Sequence, residues 1–204
     1  MLEKLPEALG HALRHQRAGL EATAFSRTDL RQGTAALQLG SLAFADHAPL
    51  PARYTADGEG VSPPLHWSGV PAAAASLLLI VEDADSPTPH PLVHAIVVDL
   101  PAGDGALAEG ALGQAEALGL HLGRHSLLQA GWLPPDPPPG HGVHRYVFQL
   151  FALAAGEPFS GTPGRDEVLA ALAERALASG CLIATYERSD GSIPQPLAPP
   201  VIVG

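Results

Sequence analysis

Two groups of polar residues in this sequence carry side chains that could bind or activate a small molecule. The first, Glu82-Asp83-Ala84-Asp85-Ser86-Pro87, follows an apolar run and is followed in turn by His90 and His94. The second is a proline-rich segment that ends in His144-Arg145-Tyr146. Carboxylates and imidazoles exchange protons and form hydrogen bonds near neutral pH, so these residues are candidates for ligand binding or acid–base chemistry.

The aspartates of the first group lie where a buried strand would end, a position at which a rigid scaffold presents functional groups. A solvated turn whose aspartates cap backbone N–H groups explains the same pattern more simply. His90 and His94 are four residues apart, but Pro91 breaks any helix that would make them a zinc-binding pair. His121 and His125 have the same spacing without a third ligand, so we predict no metal site.

The second group begins with a proline-rich segment, 134–139, that leads into an aromatic strand. Such segments also serve as ligands of SH3-type domains. A stretch that runs directly into a core strand is more simply a stiff loop, and a stiff loop loses little entropy when a ligand binds. We therefore interpret it as the wall of a pocket.

Composition excludes several classes of function. The net charge is −10, and Lys4 is the one lysine, so we expect no nucleic-acid binding and no electrostatic docking on anionic lipids. The sequence lacks a long apolar run and the apolar core of a signal peptide, which predicts a soluble, cytoplasmic protein without a membrane span. Cys181 has no internal partner and is expected to be a small buried residue. No hydrolase, nucleotide-binding or metalloprotease motif is present, so we predict neither a catalytic residue nor a cofactor.

The elements around these residues are mostly short strands. Glycine and proline number 22 and 21, which is too many for a helical bundle. The strand candidates are 39–44, 76–82, 93–100, 144–153 and 182–188. We predict a helix near 163–179 that begins at Thr162-Pro163 and ends before Gly180, and an amphipathic helix within 2–20. The prediction is a mainly β fold, a two-sheet antiparallel β-sandwich with peripheral helices.

Three regions follow from this reading. Residues 1–38 are expected to form the N-terminal helix and a linker, 39–188 the sandwich domain, and 189–204 a proline-rich tail. The leucines of the N-terminal helix have no evident partner within a two-sheet sandwich. Because an exposed apolar stripe is a liability in a monomer, we expect a homodimer.

Four short segments occur in a fixed order between residues 39 and 188. They are 54–58 (YTADG) with 62–67 (SPPLHW), 83–87 (DADSP) with His94, 137–146 (PPPGHGVHRY), and 185–188 (TYER). Together they resemble the phosphatidylethanolamine-binding protein family, in its bacterial branch that is similar to Raf-kinase inhibitors. Two positions depart from the family pattern, because Ala84 replaces a proline and Asp136 stands where a glycine often precedes the paired prolines.

The resemblance implies a fold of two packed antiparallel sheets and a small non-catalytic cavity for phosphate, phosphoryl headgroups of phospholipids or similar anions. It implies that two imidazoles donate N–H bonds to the anion. By resemblance, the ligand-binding residues are Asp83, His94, Pro137, His144 and Tyr146, and the supporting residues are Asp85, Pro87 and Arg145.

The leading function is therefore a soluble binding protein for a small phosphoryl-bearing or similar anion. Modulation of a partner protein such as a kinase or protease is an activity of the wider family, and the eukaryotic kinase partner is not carried over. Two alternatives belong to other classes. One is a hydrolase that uses Asp83 and His144, and the other is a protein-interaction module that works through the proline-rich loop or the tail.

Overall fold

The computed structural model describes residues 7–30 and 36–188. In chain order the strands are β1 (Gln38–Gly40), β2 (Ala48–Pro49), β3 (Leu65–Ser68), β4 (Ser76–Asp83), β5 (Leu92–Pro101), β6 (Gly105–Leu107), β7 (His121–Leu122), β8 (His144–Leu153) and β9 (Ala176–Tyr186). The helices are α1 (Glu7–Leu13), α2 (Ala24–Arg27) and α3 (Arg165–Arg175), with single 3₁₀ turns at Leu20–Ala22, Ala52–Tyr54 and Ala111–Gly113.

The strands form two sheets, which confirms the predicted mainly β fold. One sheet has the order β1-β3-β6, and the other has the order β2-β9-β8-β4-β5-β7. One short edge pair departs from the antiparallel pattern, because β2 pairs with β9 in parallel. β2 is two residues long and follows a turn, so it adds to the sheet without a hairpin connection.

The long strand β4 is buried on both faces, which explains its unbroken apolar sequence. Leu77, Leu79 and Val81 belong to the core between the two sheets. Leu78 and Ile80 belong to a second core on the opposite face, which α3 covers with Val168 and Leu172. Burying a leucine or isoleucine side chain contributes about 1.5–3 kcal/mol, so this strand anchors both cores and fixes the position of its end, Asp83.

The predicted helix near 163–179 is too long. α3 ends at Arg175, and Ala176 begins strand β9, which pairs with β8 along its whole length. Gly180 is therefore not a helix-terminating residue but lies in mid-strand, where a Cβ atom would approach the Leu37 carbonyl oxygen to 2.5 Å. The sequence ALASGC accommodates either a helix or a strand, and pairing with an aromatic strand overrides its helical propensity.

The N-terminal region also differs from its prediction. Its helix covers residues 7–13, whereas the rest of 2–20 lies outside a regular helix or, for 2–6, outside the described residues. The predicted linker 21–38 contains α2, whose Ala24 is fully buried in the second core. Residues 31–35 and the predicted tail 189–204 lie outside the described residues. No helix in the described parts of the chain is long and apolar enough to cross a membrane.

Candidate ligand-binding site

Three adjacent strands of the large sheet bring the candidate residues to one end of the sandwich. Asp83 is the last residue of β4 and lies opposite Tyr146 of β8. His144 begins β8. His94 lies on β5, which pairs with β4. In this ladder Val81 pairs with Ala95 and Glu82 pairs with Val93, so His94 is an extra, bulged residue between the two pairs. Such bulges redirect side chains next to functional sites, and this one turns His94 toward the ends of β4 and β8.

His94 has one ring nitrogen engaged and one without a partner. Its Nδ1 lies 2.6 Å from the carbonyl oxygen of Leu133, which can only accept, so Nδ1 carries the proton. Complete burial lowers the pKa of His94, and the nearby Asp83 opposes this effect only in part. The ring is therefore neutral near pH 7. Its Nε2 then presents a lone pair, and no described residue satisfies it.

Tyr146 carries the second unsatisfied polar atom of the site. Its hydroxyl is buried without a hydrogen-bond partner among the described residues. The rings of Tyr146 and His94 meet edge to face with centroids 5.1 Å apart. Burial, and after it the charge of Asp83, raises the pKa of Tyr146 well above its usual value, so the hydroxyl stays protonated. Buried polar groups nearly always have partners, so two adjacent orphans indicate a place for a ligand or a bound water.

A histidine network lies directly beside these two atoms; we define it as Asp83, His144, His141 and the carbonyl group of Leu13. His144 Nδ1 is 2.7 Å from Asp83 Oδ2, and His144 Nε2 is 2.7 Å from His141 Nδ1. His141 Nε2 is 2.9 Å from the Leu13 oxygen. Both nitrogens of His144 are thus engaged within the protein.

The histidine network ends at a backbone group of the N-terminal region. The Leu13 carbonyl oxygen can only accept, so His141 donates from Nε2. Burial, and after it the neighbouring His144, lowers the pKa of His141. The network therefore joins Asp83, through two imidazoles, to a segment that precedes the sandwich.

The second aspartate, Asp85, supports the site from behind. It accepts hydrogen bonds from the backbone N–H of Arg145 at 2.9 Å and from its guanidinium at 2.7 Å, and it pairs with Arg17 at 3.0 Å. Burial alone would raise the pKa of Asp85, but the hydrogen bonds from Arg145 and Arg17 outweigh it and lower that pKa. The backbone N–H of Asp85 in turn donates to Asp83 Oδ1 at 2.8 Å, which orients the first carboxylate. Pro87 lies half-buried at the end of this turn.

Residues 7–19, which we call the N-terminal strap, lie across the site. The Leu13 carbonyl accepts from His141, and the Arg17 guanidinium donates to the carbonyl groups of Val143 and His141 at 2.7 and 3.1 Å. At Gly10 the strap approaches the proline-rich loop so closely that a Cβ atom would overlap the Pro139 carbonyl group. α1 therefore contacts the sandwich of its own chain through Gly10 and Leu13, while Leu9 of the leucine stripe remains 39% exposed.

The proline-rich loop forms another side of the site. Pro135, Pro137 and Pro138 are buried, so they are not displayed as a ligand for another protein. Asp136, the departure from the family pattern, pairs with Arg188 Nη1 at 2.5 Å, and the same nitrogen donates to the Pro137 carbonyl oxygen at 3.2 Å. Arg188 also pairs with Asp57, so its one positive charge is shared between two carboxylates.

The other departure, Ala84, adds a hydrogen bond that the family's proline could not donate. Its backbone N–H lies 3.0 Å from the carbonyl oxygen of Arg145. The alanine therefore leaves the turn tied to β8 and compensates for the ring constraint that it lacks.

Sequence reasoning named most of the polar residues that meet here and missed two. Asp83, His94, His144 and Tyr146 lie together, and Pro137 lies in the adjoining loop. His141 belongs to the segment 137–146, but nothing in the sequence distinguishes it from its neighbours, and a lone arginine such as Arg17 in a helical region carries no signal. Among the described residues no group of three or more His, Cys, Asp or Glu side chains is arranged to hold a metal ion. His121, the first residue of β7, contacts Asp99 and the Gly161 carbonyl instead.

Comparison with known proteins identifies the family. A model of phosphatidylethanolamine-binding proteins matches residues 40–187. The chain belongs to the phosphatidylethanolamine-binding protein family. A UPF0098 protein of Methanothermobacter thermautotrophicus is 36% identical over 154 residues, covering 74% of this chain and 99% of that protein. A UPF0098 protein of Aquifex aeolicus is 34% identical over 158 residues, covering 76% of this chain and 91% of that protein.

Solved structures of family members have the same fold. A phosphatidylethanolamine-binding protein homologue from Chlamydia trachomatis has a TM-score of 0.68 and 35% identity, covering 76% of this chain and 99% of that one. Escherichia coli YbcL has a TM-score of 0.70 and 28% identity with the same coverage. The N-terminal strap precedes the region that the family model matches. This family member therefore combines a shared sandwich with a segment outside the family match that covers its candidate site.

Proposed function

We propose that this protein binds a small phosphoryl-bearing or similar anionic ligand at His94, Tyr146 and Asp83, without turning it over. The observation that carries the proposal is the pair of buried, unsatisfied polar atoms, His94 Nε2 and the Tyr146 hydroxyl. Leaving a buried polar atom unpaired costs about 1–3 kcal/mol, and a bound oxyanion would recover this energy at both atoms. Family membership supports the same function.

The geometry divides the predicted ligand-binding residues by role. His94 and Tyr146 offer free polar atoms, whereas His144 acts through Asp83 and His141, and Pro137 contributes apolar wall. Asp85 and Arg145 hold the turn that carries Asp83. In this proposal one imidazole and one phenol, rather than two imidazoles, contact the anion.

A hydrolase remains the second candidate because Asp83 and His144 form a hydrogen-bonded carboxylate–imidazole pair, as in acid–base catalysis. In such a pair the second nitrogen of the histidine must face a nucleophile or a water. Here that nitrogen faces His141, and the network ends at a backbone carbonyl group. The pair lacks an open position for activating a nucleophile, so the geometry favours binding over catalysis.

Calorimetric titration with inorganic phosphate near pH 6 tests the binding proposal. His94→Leu and Tyr146→Phe should each weaken binding about tenfold, the equivalent of one lost hydrogen bond of about 1.4 kcal/mol. His121→Leu is the matched control, because His121 lies on β7 and contacts Asp99, and it should bind as the wild type does. Absence of binding to the wild type, or equal binding by all variants, would refute the proposal.

Assays of phosphate and carboxylic ester turnover distinguish the alternative. Turnover that Asp83→Asn abolishes, without loss of fold by circular dichroism, would establish the hydrolase instead. A wild-type protein that binds phosphate but turns over none of the esters would support the binding function.

The remaining aspects of the function are proposals as well. We propose cytoplasmic localisation, which cell fractionation tests. A Mycobacterium tuberculosis relative that is 37% identical over 169 residues bears a name that marks it as a candidate lipoprotein, LppC, so recovery of this protein in the membrane fraction would contradict the proposal.

We propose that the ligand-loaded protein acts on a protein partner. A homodimer is tested by sedimentation of the full chain, and a single monomeric species would contradict it.

A further inference from the structure

The free polar atoms of the site form an unusual set for holding an anion. His94 donates from Nδ1 to the Leu133 carbonyl, so its free Nε2 is an acceptor. Asp83 offers only acceptor oxygens, both of which already accept hydrogen bonds from neighbouring groups. The Tyr146 hydroxyl is the one group here that can donate. A ligand composed entirely of acceptor oxygens would leave Nε2 without a partner.

The charges that face these atoms do not favour a doubly charged ligand. The groups that act on His94 are Asp83 from β4, His144 from β8 and His125 from the loop after β7; burial lowers the pKa of His125 as well. Asp83 is the one acidic group among them, and His144 is its hydrogen-bond partner. Within residues 7–30 and 36–188, no arginine or lysine is among the groups that act on His94.

The groups that act on Tyr146 lead to the same result. They are Asp83, Asp136, Tyr186 and Arg188. Arg188 is the nearest cation, and it pairs with Asp136 at 2.5 Å and with Asp57 at 2.6 Å. Its positive charge is already shared between two carboxylates. The whole chain, at −10, adds a repulsive field for a dianion.

We propose that the site selects a phosphoryl ligand in its singly protonated form, with the P–OH group donating to His94 Nε2 and the Tyr146 hydroxyl donating to a P–O oxygen. The proposal rests on the proposed function, because it specifies the ionisation state of the ligand at that same site. Each orphan atom then has a complementary partner, and the ligand enters with one negative charge instead of two. The selected class is an oxyacid that retains a proton, such as a phosphate monoester or phosphonate monoanion.

Methyl phosphate is a direct probe because it loses its second proton near pH ~6, as other phosphate monoesters do. At pH 8 only about 1% of it is singly protonated. If only this form binds, the apparent affinity should fall about 100-fold between pH 5 and pH 8. Methyl sulfate has the same shape and a single charge but carries no proton, so it should bind weakly at both pH values.

The experiment measures both probes by calorimetry from pH 5 to pH 8, in buffers of different ionisation enthalpy. Methyl phosphate binding near pH 7.5 should take up about one proton, because the dianion in solution binds as the monoanion. His94→Gln should flatten the pH profile, because a glutamine side chain can turn its N–H₂ group toward the dianion. His121→Gln is the matched control and should retain the wild-type profile.

The outcomes separate the inference from the function on which it rests. If methyl sulfate also binds more tightly at acid pH, an imidazole of the protein supplies the proton and the inference is wrong, while anion binding stands. Methyl phosphate affinity that is flat or rises with pH has the same meaning. If neither probe binds at any pH at which the protein is folded, the proposed function fails as well.

Discussion

Arg17 fastens the N-terminal strap to the site, and replacing it by alanine should release the strap without unfolding the sandwich. Its guanidinium donates to the Val143 and His141 carbonyl groups and pairs with the buried Asp85. Two hydrogen bonds from a charged donor would contribute about 1.5–3 kcal/mol each when fully protected from solvent. Because the Arg17 side chain is 31% exposed, water replaces part of that energy, and we expect a net loss of about 2 kcal/mol.

Amide hydrogen exchange measures this opening directly. The backbone N–H groups of Ala18 and Gly19 donate to the carbonyl groups of Ser86 and Ala84 at 3.1 and 2.7 Å. A loss of about 2 kcal/mol should accelerate exchange at both amides about 30-fold, since 1.4 kcal/mol corresponds to a factor of ten. Amides of β4 should exchange as before, because that strand lies in the centre of the large sheet.

Arg14→Ala is the matched control for this prediction. Arg14 belongs to the same segment, but its side chain is exposed and, within the described part of the chain, its hydrogen bond is to the neighbouring His15. Its replacement should leave exchange at Ala18 and Gly19 within about twofold of the wild type. Unchanged exchange at these amides in Arg17→Ala would refute the reasoning, and so would equal acceleration of the β4 amides, which would indicate global unfolding instead.

Three further changes test other parts of the fold. Asp85→Asn should lower the free energy of unfolding by about 3 kcal/mol in urea titrations at pH 7, because it leaves buried arginine contacts unpaired. Since the pKa of Asp85 is lowered in the folded state, this difference should persist above its ordinary value of about 4 and shrink as pH falls below it. Leu172→Ala should cost 2–5 kcal/mol by leaving a cavity between α3 and the large sheet, measured in the same way. The Cys181 thiol, whose pKa burial raises to about 12, should react with a disulfide reagent at pH 8 far more slowly in the folded chain than in urea.

The strands were the most predictable part of the fold. The strand prediction 144–153 coincides with β8, and 76–82 misses β4 by one residue. Both have long apolar runs because both lie in the middle of a covered sheet. The boundary at Ala176 was not predictable, because small residues fit a helix and a strand equally well and only the partner strand decides between them.

The site was predictable as a set of residues but not as a set of roles. The resemblance identified Asp83, His94, His144 and Tyr146 as neighbours, and the structure brings them together. Which nitrogen of each histidine remains free depends on the carbonyl groups of Leu133 and Leu13, the latter 128 residues away from His141 in sequence. A backbone carbonyl leaves no trace in residue type, so the tautomers and the function of the strap needed the three-dimensional structure.

Closure of the N-terminal strap and the charge of His141 are linked. With the strap closed, His141 Nε2 donates to the Leu13 carbonyl oxygen. Burial, and after it the neighbouring His144, lowers the pKa of His141, and Arg17 of the strap acts in the same direction. Opening the strap exposes the imidazole to water, so its pKa returns toward its ordinary value of about 6.5. The open form therefore binds a proton more readily than the closed form, and acid pH favours opening. Protection factors of Ala18 and Gly19, corrected for intrinsic exchange, should accordingly be lower at pH 5 than at pH 7.5, and equal protection would show that His141 does not respond to the strap.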